Sequence, residues 1–90
     1  MCELSKIKTM ASKNGFDGVL ILYVEETGEL AKALTKIKRF GKSVDRLTDL
    51  YEEIADVEIV LEELKELFAC RTEVNEWKCL KLKRGIKHEG

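Results

Sequence analysis

Two long segments of this sequence repeat apolar residues at alternating steps of four and three. In the first, Phe16, Leu20, Tyr23, Leu30, Leu34 and Ile37 keep that spacing, with Thr27 at the one polar step. In the second, Leu47, Leu50, Ile54, Val57, Leu61, Leu64 and Phe68 do the same. Alternating steps of three and four stay on one side of a helix with 3.6 residues per turn. Both rows therefore predict the core stripes of packed helices. The chain contains no proline, the residue that disfavours a helix interior by about 3 kcal/mol.

Local signals divide the chain into four helices. The first is expected from Cys2 to Lys13, ending at the turn signal Asn14-Gly15. The second starts with Asp17 as N-cap, has Phe16 and Ile21 at the staple positions, and stops at Phe40 before Gly41. Ser43 can cap a third helix reaching about Ala69, and a last helix runs from near Thr72 to Gly85 with no glycine or proline marking its start. The expectation is an all-α fold, a helical bundle of about four helices in a single domain spanning residues 1–90. The segment from Val19 to Val24 is apolar on all sides, and Ala55 and Ile59 lie off the third helix's main stripe. A second contact surface follows, so the bundle is expected to be completed as a homodimer or higher homo-oligomer.

Composition excludes several classes. The formal net charge is −1, which argues against nucleic acid as the main partner. The longest apolar run, Val19 to Val24, is too short to span a bilayer, and the charged start lacks the apolar region of a secretory leader. No membrane partner and a cytoplasmic location are expected. Cys2, Cys70 and Cys79 form no Cys-x-x-Cys pair and are read as reduced thiols.

Acidic residues carry the chemistry. Glu25-Glu26-x-x-Glu29 and Glu52-Glu53-x-x-Asp56 each place carboxylates on one helix face. Glu26 and Glu29 interrupt the row Val19, Leu22, Ala33, Phe40 beside the first stripe. Glu53 and Asp56 belong to the row Asp49, Val60, Leu67 beside the second. Packing the two helices converges Glu26, Glu29, Glu53 and Asp56. Like charges about 4 Å apart repel by roughly 4 kcal/mol at an effective dielectric of 20, and a divalent cation reverses the sign. Oxygen ligands alone suit Mg²⁺, with Mn²⁺ also possible. A di-iron bundle requires Glu-x-x-His pairs, and the only histidine, His88, lies in the tail. Glu62-Glu63-x-x-Glu66 repeats the spacing, but Glu62 and Glu66 fall outward with Lys65 among them, so that cluster is read as a solvated face.

The residues Glu25-Glu26-Thr27-Gly28-Glu29-Leu30 followed by Glu53-Ile54-Ala55-Asp56-Val57 resemble the E-E-x-x-E … E-x-x-D signature of the MazG-like all-α nucleoside triphosphate pyrophosphohydrolases. The likeness runs from about Phe16 to Arg84, taking in Ala33 to Arg39 and the stretch from Glu76-Trp77-Lys78 to Lys83-Arg84. It implies hydrolysis of a nucleoside triphosphate between its α and β phosphates, giving a monophosphate and pyrophosphate. Glu26, Glu29, Glu53 and Asp56 match the family's Mg²⁺ ligands. Glu25 matches the leading acid, a catalytic residue that orders or deprotonates water.

Lys36 continues the Glu26–Glu29–Ala33 row and is the first candidate to clamp phosphate. Lys32, Arg39, Lys81 and Arg84 follow as further substrate-binding candidates, against the plain alternative of solvated cations. Gly28, inside a helix, suggests a close approach of backbone or ligand. The apolar stretch before the first acids departs from the polar and aromatic groups that often hold the base, so base identity stays open. Three alternatives compete: a non-catalytic helical interaction module, a degenerate member binding metal or nucleotide without turnover, and pyrophosphohydrolysis of a larger phosphoribosyl-nucleotide.

Overall fold

The structure, a computed structural model, describes residues 2–85; His88 lies outside them. It contains three helical elements, α1 (Cys2–Phe40), α2 (Val44–Phe68) and α3 (Arg71–Arg84), and no strand among the described residues. The expected break at Asn14-Gly15 is a kink inside α1. Gly15 alone leaves helical geometry, at φ 67° and ψ −178°, a region that glycine enters without the steric cost of a Cβ. The kink separates two helices, as expected, and Asp17 falls in the first turn of the second. Asn14 ties the kink to α2 by donating from Nδ2 to Glu63 Oε1 at 3.0 Å.

The α1–α2 connection follows its sequence signals. Gly41 takes φ 85° and its N–H reaches Ile37 O at 2.8 Å. Ser43 caps α2, its Oγ accepting from the Arg46 N–H at 3.2 Å. Arg46 reaches back from α2 and donates through Nη1 to Phe40 O and Gly41 O at 3.0 and 2.9 Å, giving partners to carbonyls at the end of α1. At the other end of α2, Ala69 adopts a left-handed φ of 49°, and Cys70 N–H returns to Lys65 O at 3.1 Å. This is a helix stop of the kind glycine usually makes, which explains why composition alone marked it poorly.

Packing departs from the expected bundle. The main tertiary interface joins α1 to α2. α3 has no buried residue. The buried apolar side chains are Ala11, Val19, Ala33 and Val60, so the seam runs through the row that carries the acids. The stripes predicted as core lie beside this seam and stay half open, with Phe16, Leu20, Leu34 and Phe68 all exposed. The physical reason is where the third layer lies: the segment before Gly15 turns back over the row of the acids, burying Ala11 and bringing Met10 to a cleft with Leu22, Glu26 and Ile59, and it leaves the wider stripe uncovered. Ile59, assigned from sequence to an intersubunit surface, is 41% exposed and lines open clefts with Met10 of α1 and Lys78 of α3.

Candidate functional site

The seam brings the acids together because Val19 and Ala33 on α1, and Val60 on α2, let the two backbones approach beside them. One carboxylate oxygen from each of Glu26, Glu53 and Asp56 lies within 4.8 Å of the others. Glu26 and Glu53 are half-buried, and Asp56 opens to solvent. Glu53 Oε1 is buried and has no hydrogen-bond partner. An orphaned carboxylate oxygen is costly, and the sequence could have spared it by placing glutamine there.

Electrostatics agrees with the geometry. Burial pushes the Glu26 carboxyl above its ordinary range, and the charges of Asp56 and Glu53 push it further. Burial does the same to Glu53, with Asp56 and Glu29 adding to it. Both groups resist ionisation because they are partly desolvated among like charges. A hard divalent cation placed there would reverse both effects and would partner Glu53 Oε1. Oxygens on an octahedral Mg²⁺ are about 3.0 Å apart when adjacent and about 4.2 Å when opposite, so three carboxylates within 4.8 Å of one another would have to close in to share one ion.

The remaining predicted residues divide by distance from this centre. Glu29 is exposed and pairs with Lys32 at 3.6 Å; its charge reaches Glu53. It lines an open cavity of about 240 Å³ with Lys32, Ala33, Lys36, Arg46, Asp49 and Glu53. Lys32 and Lys36 thus stand at the acids' edge. Arg39 is not in that lining, and its guanidinium lies 5.3 Å from the centre of the Phe40 ring. Lys81 and Arg84 belong to α3 and line neither this cavity nor the one behind the acids. Glu25 is exposed, outside the three-carboxylate cluster, and adds to the charge that raises Glu26. Gly28 has open space where a Cβ would stand, so no part of the chain makes the close approach expected there.

Two residues escaped the sequence reading. Arg46 supplies a cation to the cavity from α2, and only the α1–α2 turn geometry brings it there. Glu63 is 1% exposed, although its cluster was read as solvated. Its signal was present: Asp49, Glu53, Asp56, Val60, Glu63 and Leu67 form one row of steps of four and three. Its neighbours Glu62 and Glu66 are held by cations, Lys65 to Glu62 at 2.6 Å and Arg71 to Glu66 at 2.6 Å. That cluster organises the α2–α3 turn.

Comparison with protein-family models, with curated proteins and with solved structures gave no match. No helix among the described residues is long and apolar enough to cross a membrane.

Proposed function

We propose that this chain is a Mg²⁺-dependent nucleoside triphosphate pyrophosphohydrolase, releasing a nucleoside monophosphate and pyrophosphate. The observation that carries the reading is the convergence of Glu26, Glu53 and Asp56 around a buried, unpartnered Glu53 oxygen. Structural carboxylates are normally paired with a cation or a donor, as Glu62 and Glu66 are here. Glu26, Glu53 and Asp56, with Glu29 at the rim, would hold Mg²⁺. When bound there, the ion would neutralise phosphate charge and make a water more acidic.

The chain's own groups do the rest. Lys32 and Lys36 line one cavity with Glu29 and Glu53 and would receive phosphate oxygens there. Arg46 lines it from the α2 side and, with Nη1 holding the end of α1, orients the cavity wall. Glu25, exposed next to Glu26 on α1, would take the proton from the attacking water. The resemblance to MazG-like enzymes adds the α–β cleavage position to what carboxylates and lysines alone suggest.

Pyrophosphate release should be measured over a panel of canonical, deoxy and modified nucleoside triphosphates, with Mg²⁺ and with chelator. Wild-type protein should release pyrophosphate only with the metal. Asp56→Asn should lose at least about a hundredfold of that activity, since even outer-shell changes at metal sites cost 10- to 100-fold. No release from any substrate, together with no thermal shift from Mg²⁺ plus nucleotide, would sink the reading. Thermal stabilisation by Mg²⁺ without turnover would mark a degenerate binder. The half-open apolar stripes favour one further reading, a non-catalytic interaction module, which predicts no response to metal at all.

A further inference from the structure

Glu63 is a buried carboxylate that the acid cluster does not use. It is 1% exposed, and among the described residues its one hydrogen bond comes from Asn14 Nδ2, at 3.0 Å to Oε1. No cation among the described residues pairs with it, whereas Glu62 and Glu66 on the same helix are held by Lys65 and Arg71. A glutamine would serve Asn14 as well and would spare the buried charge. A carboxylate adds acceptor capacity, since it offers about four lone-pair sites and Asn14 takes one. Glu63 also lines an open cleft of about 180 Å³, whose apolar walls are Met10, Leu22, Ile59 and Val60.

Order along the seam gives this cleft its meaning. From the α1–α2 turn the cavity of Lys32 and Lys36 comes first, the clustered acids second and the cleft third, with Glu63 beside the kink. Glu26 and Asp56 belong both to the acid cluster and to the cleft. The two cavities, about 240 and 180 Å³, together fall within the ~300–1,000 Å³ of small-molecule sites. Glu63 stands seven residues past Asp56 on α2, about 10 Å along the helix. A ribose and base span a comparable length between an α-phosphate and the outer edge of the base. We propose that the cleft holds the base of the nucleotide, and that Glu63 selects a base presenting N–H donors, guanine first, over uracil and thymine. The inference rests on the nucleotide reading of the acid cluster and adds the base to it.

An ionised carboxylate only accepts, so it pairs with edges that donate. Guanine presents two adjacent donors, N1–H and the 2-amino group, which one carboxylate can take together. Adenine and cytosine present one amino group beside a ring nitrogen that accepts. Uracil and thymine flank a single N–H with two carbonyl oxygens, which a buried carboxylate repels. Met10 supplies a polarisable thioether, which makes favourable contacts with aromatic rings. Met10 and Ile59, 39 and 41% exposed, leave the cleft open to solvent. Asn14 is a positioning residue: a Cβ on Gly18 would come 3.1 Å from Asn14 Cβ, so the glycine leaves room for the side chain that holds Glu63. A metal suits Glu63 less well, because it lies outside the group of Glu26, Glu53 and Asp56 whose oxygens approach within 4.8 Å.

Turnover of GTP, ITP and UTP tests the proposal, beside methyl NMR of labelled Met10 with GMP, IMP and UMP in the presence of Mg²⁺. GTP should exceed UTP in kcat/KM by at least about tenfold, with ITP, which lacks the 2-amino group, between them. GMP should shift the Met10 methyl signal, and UMP at equal concentration should not. Glu63→Gln keeps the shape but both donates and accepts, and should bring the GTP to UTP ratio within about threefold. Equal turnover of GTP and UTP would overturn the base assignment while leaving the pyrophosphohydrolase reading in place. A GTP preference that Glu63→Gln leaves intact would do the same. If that variant does not fold, the Met10 signal of the unaltered chain decides: equal responses to GMP and UMP, or none to either, overturn the proposal. A GMP-selective shift of Met10 without turnover of any triphosphate would sustain the base site and sink the hydrolase.

Discussion

Glu53 and Glu62 are the same residue type on the same helix, and their surroundings drive them in opposite directions. Glu53 sits half-buried among acids and its carboxyl is raised, first by burial and then by Asp56. Replacing it with glutamine removes the repulsion and the misplaced charge while keeping shape. The metal-free Glu53→Gln protein should therefore melt at a higher temperature than wild type at neutral pH, and gain nothing from Mg²⁺. Differential scanning fluorimetry with and without chelator checks both statements. Glu62 is held below its ordinary 4.5, first by the hydrogen bond from Lys65, with Arg71 adding a second and burial opposing. Its unfolded form binds protons more readily than its folded form, so stability falls as pH drops. That contribution is fully present above the unfolded value of 4.5 and is lost as pH falls below it through the folded value. Glu62→Gln should flatten this acid limb, read as a smaller change in denaturation midpoint below pH 4.5 than in wild type.

Helix ends and interior glycines show how far local chemistry carries an element. Gly41 and Ser43 are read correctly because a left-handed stop and an N-cap are properties of a few adjacent residues. Asp17 misleads by only a step or two, because the second helix starts directly after the kink at Gly15 and takes Asp17 into its first turn. Gly28 lies mid-helix in open space with no left-handed angle to justify it. Gly28→Ala should stabilise the protein by about 0.4–1 kcal/mol, measured by urea denaturation. If Gly28 serves nucleotide entry, the same variant will lose activity while gaining stability, and the two readouts separate the roles. α3, with no buried residue, is anchored chiefly through its first turn, where Arg71 reaches Glu62 at 3.3 Å and Glu66 at 2.6 Å.

Across the whole molecule, stability should be graded. Amide hydrogen exchange is expected to be slowest around Val19, Ala33 and Val60, where side chains are buried, and fast through the second half of α3. Uniform protection from Cys2 to Arg84 would contradict that gradient. The sequence by itself determined the helical class, the α2 limits, the kink and the two acidic clusters. Each depends on periodicity or on capping within a few residues, and such short-range chemistry acts before any tertiary contact forms. Only the tertiary structure decided which face of each helix turns inward. The stripe of Phe16, Leu20 and Leu34 and the row of Val19 and Ala33 lie only about a quarter-turn apart, so either could face the partner helix. The hairpin chose the row of small side chains, which lets the backbones approach, and this choice drew Glu26, Glu53 and Asp56 into one cluster. It also buried Glu63, left Lys81 and Arg84 outside the acid cavities, and turned the larger apolar stripe to the surface. Spacing records which residues share a face, but which face is covered depends on what else is available to cover it.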